Sequence, residues 1–341
     1  MIRNKLYKES LVAVLDAMEV DNATFLVTGA SGLIGSCVID LILLANARGK
    51  QNHVYALGRS AAKLERRFKD YLGDKYFHVV EQDVCTPLSD EVQFDYIIHG
   101  ASNADPVSYA KYPVETMTTT IFGSYHILEY GRKHPDCRIT LLSTFEVYGN
   151  ASKDVYREAD AGILDFNAFR ACYPESKRTA EILSRCYVDE YGVQVNVARL
   201  SSVYGPTMAV DDSKAHAQFL RNALAGQDIV LKSEGRQRRT YTYVIDAVTA
   251  ILAILFRGAE KESYNVSYEE AVASIAEVAR TVAEIAGTQV TFDLPTAIEA
   301  KGFSKPQDCI LDNSKLKSLG WQGRYSVFTG FKACFDILKN S

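Results

Sequence analysis

Residues 28–35 read TGASGLIG, and this octapeptide limits the fold more than any other stretch of the chain. It follows the apolar run ATFLV at 23–27 and leads into CVIDLILLAN at 37–46. A strand-length apolar run, glycines at three-residue spacing and a helix-length apolar segment predict a buried strand, a tight turn and a helix. Glycine lets the backbone approach a pyrophosphate, and the first N–H groups of the helix face that anion. The expected contacts of a dinucleotide are therefore Gly29, Ser31, Gly32, Leu33, Ile34 and Gly35. A purely structural turn is the alternative, and the strand–turn–helix context disfavours it.

The rest of the first 205 residues repeats the alternation. Apolar strand patterns occur at NHVYALG (52–58), KYFHVVEQDV (75–84), FDYIIHGAS (94–102), RITLLSTFEVYG (138–149) and VQVNVARLSSVYG (193–205), with helical patterns between them. The pattern predicts an α/β fold: a Rossmann-type doubly wound parallel sheet, covered by helices on both faces. After Pro206 the alternation weakens, which predicts a smaller, discontinuous α/β substrate lobe. The expected division is an amphipathic helix at 1–22, a dinucleotide-binding domain at 23–205 and 238–260, and the second lobe at 206–237 and 261–341. The N-terminal segment has helical periodicity with charges between its apolar residues, unlike a signal peptide. The apolar runs near 33–45 and 247–256 are too short to cross a bilayer. A net charge of −4 argues against a nucleic-acid partner. Seven cysteines without a CxxC spacing, and six histidines without a ligand spacing, predict no disulfide framework and no metal site. A reducing, cytoplasmic setting fits.

The strand at 52–58 leads into Arg59-Ser60 with no carboxylate to hold a ribose 2′-hydroxyl. Arg59 could hold a 2′-phosphate, so the residues lean toward NADP over NAD. Asp83 is placed near the adenine, or simply ends its strand.

A second site lies in YPESK at 173–177. Tyr173 and Lys177 are four residues apart and share a helix face. An ammonium beside a phenol favours the phenolate, so Lys177 is expected to pull the Tyr173 pKa down into working range. The phenolate then takes a proton from a substrate hydroxyl as hydride leaves the same carbon. Thr144 and Ser143 are candidates to hold the substrate oxygen. Cys172 reads as small buried core and His99 as packing against the cofactor loop.

Taken together, TGASGLIG, DV (83–84), HGAS (99–102), STFEVYG (143–149), YPESK, ARLSSVYGP (198–206) and GRQRRTYTYVIDA (235–247) resemble the extended short-chain dehydrogenase/reductases that modify nucleotide sugars, the NAD-dependent epimerase/dehydratase family. The UDP-glucuronate decarboxylase branch is the nearest look-alike. The resemblance implies a tightly bound NAD or NADP, with further cofactor contacts at Val84, Ala101 and Lys177. It implies a nucleoside-diphosphate sugar as substrate and oxidation of its C4 hydroxyl by Tyr173, Lys177 and Thr144. Glu146 would serve as acid–base group near C5, or cap its loop. Arg239 would clamp the diphosphate, or form a surface ion pair. A homodimer through the long helices near 106–134 and 173–191 is also implied. The dehydratases of the family carry Thr-Asp-Glu where this chain has Thr144-Phe145-Glu146. Phenylalanine cannot protonate a leaving hydroxyl, and Glu146 favours decarboxylation or elimination over simple epimerisation. Ser202 and Thr120 replace common asparagines at the substrate end. A decarboxylase or dehydratase leads, followed by a 4-epimerase. A net oxidoreductase and a dinucleotide sensor are the rivals from other classes.

Overall fold

The computed structural model describes residues 1–294 and 308–341. The part of the expected second lobe between 295 and 307 lies outside the described residues. The first strand, β1 (Thr24–Thr28), is followed by α2 (Leu33–Asn46), β2 (His53–Gly58), α3 (Ala61–Arg67), β3 (Phe77–Glu81) and β4 (Tyr96–His99). Then come α4 (Pro106–Lys111), α5 (Pro113–Lys133), β5 (Arg138–Thr144) and α6 (Cys172–Tyr191). The central sheet has seven strands, in the order Ser263–Val266, Val195–Leu200, β5, β4, β1, β2, β3. All of its pairings are parallel. The strand order runs outward from β1 in both directions, so β1 and β4 flank the switch point, where a crevice opens at the carboxyl ends of the strands.

α2 is buried along most of its length because it lies under the sheet and against the helix Val244–Arg257. Its Asp40 is fully buried and accepts from Tyr7 at 2.9 Å, Arg67 at 2.6 Å and Tyr71 at 3.0 Å. Tyr7 belongs to α1 (Lys5–Val12), so this carboxylate fastens the N-terminal helix to α2 and α3.

Three features depart from the sequence expectations. The long helix near 106–134 is two helices. Tyr112 leaves the helical region because it precedes Pro113, whose ring crowds it and which opens α5 without an N–H. The strand expected to run to 149 ends at Thr144, where Phe145–Tyr148 form a 3₁₀ turn. The first domain does not close at 260, because Ser263–Val266 pairs with Val195–Leu200 as the last strand of the main sheet. Arg238–Tyr243 lies instead in a small sheet with Ser202–Tyr204 and Val272–Ser274. Val114, Phe122 and Tyr125 of α5 and Ile182 of α6 remain exposed on the helices expected to meet a second copy.

The helix Val244–Arg257 carries a pH-sensitive carboxylate. Asp246 Oδ2 accepts from the backbone N–H groups of Arg324 at 3.0 Å and Tyr325 at 2.9 Å. Its buried Oδ1 has no partner among the described residues. Burial pushes its pKa up to about 6 against the pull of those two N–H groups. A carboxyl whose pKa is raised by folding is favoured protonated, so stability falls as pH rises from about 4 through 6. Asp246→Asn should therefore gain about 2–3 kcal/mol relative to the parent between pH 4 and 7. Urea unfolding at the two pH values measures this, and an unchanged difference would refute the assignment.

Candidate active site

The glycine turn follows directly from β1. Gly29 has φ +66°, and a Cβ built there would lie 2.7 Å from the carbonyl oxygen of Gly100. At Gly35 a Cβ would lie 2.6 Å from the carbonyl oxygen of Gly29, so α2 packs directly on the turn. Gly32 occupies the cap position of α2 and offers no side chain to its first N–H groups. Its three glycines thus keep side chains away from the turn's closest approaches, and it ends in helix N–H groups without intrahelical partners, which fits a pyrophosphate. Thr28 braces it. Its Oγ1 accepts from the N–H groups of Gly100 and Ala101, both at 3.1 Å, and lies 2.8 Å from His99 Nδ1. The hydroxyl proton is left for Nδ1, and burial lowers the His99 pKa to about 3, keeping the ring neutral.

A cavity of about 820 Å³ runs from this turn past Leu142–Glu146, Tyr173 and Lys177 to Ser202, Lys214 and Arg239. It joins the two sites that are 138 residues apart in sequence, taking Gly35 and Tyr173 as the reference points. β5 delivers Ser143 and Thr144 to the cavity at its carboxyl end, and the first turn of α6 delivers Tyr173. Thr144 Oγ1 accepts from the Glu146 N–H at 3.3 Å, which fixes the 3₁₀ turn carrying Glu146. The same threonine stands near enough to the Tyr173 phenol to pull its pKa down.

The electrostatics reverse one expectation. The Tyr173 pKa is raised, first by burial and then by Glu146, while Thr144 pulls it back. Lys177 does not offset this, because its ammonium donates to the Leu142 carbonyl at 2.7 Å. Burial lowers the Lys177 pKa to about 8. Spacing placed the two side chains on one face, but the direction of the ammonium is set by the β5 backbone.

Glu146 is half-buried. Burial raises its pKa, and Arg170, Arg239 and Lys214 pull it back in that order. The Arg239 guanidinium lies 5.6 Å from the centre of the Phe145 ring and donates to Gln237 at 3.0 Å, with its buried Nε unpartnered among the described residues. Arg170, Tyr109 and His216 were missed in the sequence. Tyr109 stacks on Tyr173 with ring centres 5.3 Å apart and planes 9° from parallel. Its buried hydroxyl has no partner among the described residues and lines the cavity. Arg170 lies 5.9 Å from the Tyr109 ring centre, and His216 lines the same end with its Nε2 unpartnered. Arg170, three residues before Tyr173, was the one legible signal among them. The other two act through long-range packing that spacing does not encode.

Other expected contacts fall elsewhere. Ser143 lines the cavity, but its hydroxyl donates to buried Glu181 at 2.5 Å. Ser202 lines the cavity, and Thr120 is satisfied by Ser102 at 2.9 Å. Arg59, Asp83, Val84 and Ala101 are not among the lining residues. Arg59 is exposed just beyond β2, Asp83 Oδ1 accepts from the Cys85 N–H at 2.9 Å, and Val84 is buried against α5 beside Gly123. Cys172 is buried, and all seven cysteines are free. Among the described residues no cluster of metal-binding side chains occurs, and no helix is long and apolar enough to cross a membrane.

A glycine cradle at the switch point of a parallel sheet, joined by one cavity to a tyrosine, lysine and threonine, defines an extended short-chain dehydrogenase/reductase. The model of the NAD dependent epimerase/dehydratase family matches residues 25–267, and the chain belongs to that family. UDP-glucuronic acid decarboxylase 6 of Arabidopsis thaliana is 30% identical over 310 residues, covering 91% of this chain and 87% of the relative. The crystal structure of dTDP-glucose 4,6-dehydratase from Bacillus anthracis, in complex with NAD, aligns with a TM-score of 0.77 at 20% identity, covering 92% of this chain and 96% of that one. UDP-glucuronic acid 4-epimerase from Bacillus cereus, in complex with UDP-glucuronic acid and NAD, gives 0.76 at 24% identity, covering 93% and 99%. These two structures share its fold.

Proposed function

We propose that the chain decarboxylates a UDP-linked hexuronic acid through transient oxidation at C4. The observation that carries this reading is the meeting of Tyr173, Thr144 and Glu146 in one cavity, with Arg170, Lys214 and Arg239 around the carboxylate. Three cations at that end suit a substrate with a diphosphate and a sugar carboxylate. The likeness to UDP-glucuronic acid decarboxylases over 91% of the chain supports the same substrate.

Residues Gly29 to Gly35 would hold the pyrophosphate of a nicotinamide dinucleotide, and Lys177, which lines the same cavity, would also contact it. When bound, that cofactor supplies the acceptor for the C4 hydride and its later donor. In its ionised form Tyr173 takes the proton of the C4 hydroxyl, while Thr144 holds the oxygen. The C4 ketone makes the C6 carboxylate part of a β-keto acid. The C5–C6 bond breaks, CO₂ leaves, and the electron pair remains as an enolate whose oxygen faces Thr144 and the protonated Tyr173. Glu146, whose pKa is raised by burial, would take up a proton and give it to C5. Tyr173 finally returns its proton to the C4 oxygen. Phe145 has no proton to give a leaving hydroxyl, which disfavours dehydration.

Incubation with UDP-glucuronate should give a product lighter by CO₂, read by mass spectrometry. Glu146→Gln should slow turnover by roughly 100-fold, at the low end of the range for a lost acid–base group, with substrate affinity changed only a few-fold. Loss of water would make the chain a dehydratase. An unchanged mass with a new anomeric NMR pattern would make it an epimerase. No conversion would sink the reading.

A further inference from the structure

The end of the cavity that holds the glycine turn has an unbalanced charge. Its lining side chains there include Lys63, Arg66 and Arg67, all from α3. The carboxylates lining the cavity are Asp105, Glu146 and Asp212, all at the opposite, substrate end. Arg67 is already neutralised, because its guanidinium donates to buried Asp40 at 2.6 Å. Lys63 and Arg66 have no ion-pair or hydrogen-bond partner through their side chains among the described residues.

The acids that could compensate them are engaged or turned away. Glu81, at the end of β3, accepts from the Ala61 N–H at 2.9 Å and does not line the cavity. Asp83 is bound to the Cys85 N–H. Glu65, on the same helix as the two cations, is exposed and also lies off the cavity wall. A ribose with free 2′- and 3′-hydroxyls is normally met by a carboxylate at this end of the sheet, and none is offered here. Two unpaired cations on the wall instead suit a dianion, and arginine grips a phosphate in a fixed fork.

We infer that the dinucleotide of this protein carries a 2′-phosphate, and that Lys63 and Arg66 hold it. The inference rests on the dinucleotide reading of the glycine turn. It also moves the phosphate contact one to two turns along the chain from Arg59, which stands outside the cavity.

The test is binding, independent of turnover. Purified protein stripped of nucleotide on charcoal is titrated calorimetrically with NADP and with NAD, then with adenosine 2′,5′-bisphosphate and with 5′-AMP. NADP should bind roughly 10- to 100-fold tighter than NAD, the worth of one or two charge-assisted hydrogen bonds. The bisphosphate should show the same preference over 5′-AMP, and added salt should narrow both ratios. The double variant Lys63→Gln/Arg66→Gln should bring the NADP:NAD ratio close to one. Both positions are exposed, so the fold is expected to stand, and an unchanged melting temperature would confirm that. Tighter binding of NAD, or a ratio near one in the parent, would overturn this inference and leave the dinucleotide reading intact. A preference for NADP that survives the double variant would overturn the assignment to Lys63 and Arg66. Binding of neither dinucleotide would overturn both readings.

Discussion

Tyr173→Phe should lower turnover on a nucleotide-sugar substrate by about 10²- to 10⁴-fold, the range for removing a positioned acid–base group. Affinity for the substrate and the dinucleotide should change only a few-fold, because the lost atom acts chiefly while the C4 proton is in transit. The fold should be untouched. The ring keeps its stack on Tyr109, and the phenol oxygen gives up at most one polar contact, with Thr144. A stability change under about 1 kcal/mol in urea is expected for the loss of one such contact. Equal turnover by the variant and the parent would remove Tyr173 from the mechanism. A large drop in kcat/KM that came entirely from KM would recast the tyrosine as a binding residue. The raised pKa adds a second readout. The phenol is held in its protonated form by burial and by Glu146, so Glu146→Gln should make Tyr173 easier to ionise. Any rise of rate with pH that depends on the phenolate should therefore move to lower pH in that variant. An unmoved profile would mean that the two groups are not electrostatically coupled.

Those parts of the site that are local in sequence were legible, and those built by long-range contacts were not. TGASGLIG shows its strand, turn and helix between Thr24 and Asn46, because each element declares itself by periodicity and by glycine. The pair Tyr173 and Lys177 is legible for the same reason, since four residues bring two side chains onto one helix face. What spacing left out is where Lys177 points. A carbonyl 35 residues earlier, on β5, takes its proton donor, and the phenol is left to its burial. Ser143 is a further case. It stands at the strand end where a substrate contact was expected, yet its partner is a carboxylate 38 residues later in α6. The strand Ser263–Val266 was assigned to the wrong side of the domain boundary because four residues at a sheet edge carry too little pattern to show which sheet they join.

The carboxylate that binds Ser143 is also the centre of the second large expected effect. Glu181 and Arg199 are both buried, on α6 and on the strand Val195–Leu200, with N–O distances of 2.7 to 3.1 Å over three hydrogen bonds. Arg199 donates further to the Tyr148 hydroxyl at 3.0 Å and to the Glu158 carbonyl at 2.9 Å, and Tyr148 donates to Asn265 at 2.6 Å. The network thus ties the end of β5 to α6 and to the edge strand behind it, and it holds still the strand end that carries Thr144. Arg199→Met should destabilise the protein by about 3–5 kcal/mol, because it strands a buried carboxylate without its cation. Glu181→Leu/Arg199→Met should be more stable than Arg199→Met alone, since removing both charges leaves neither ion stranded, whereas additive losses would show that the pair is not coupled. The double variant supplies a functional readout as well. With the charge balanced but Ser143 and Tyr148 released, kcat should fall while KM holds, because β5 no longer fixes Thr144 against Tyr173. A double variant with full turnover would show that the position of Thr144 is set by the sheet alone.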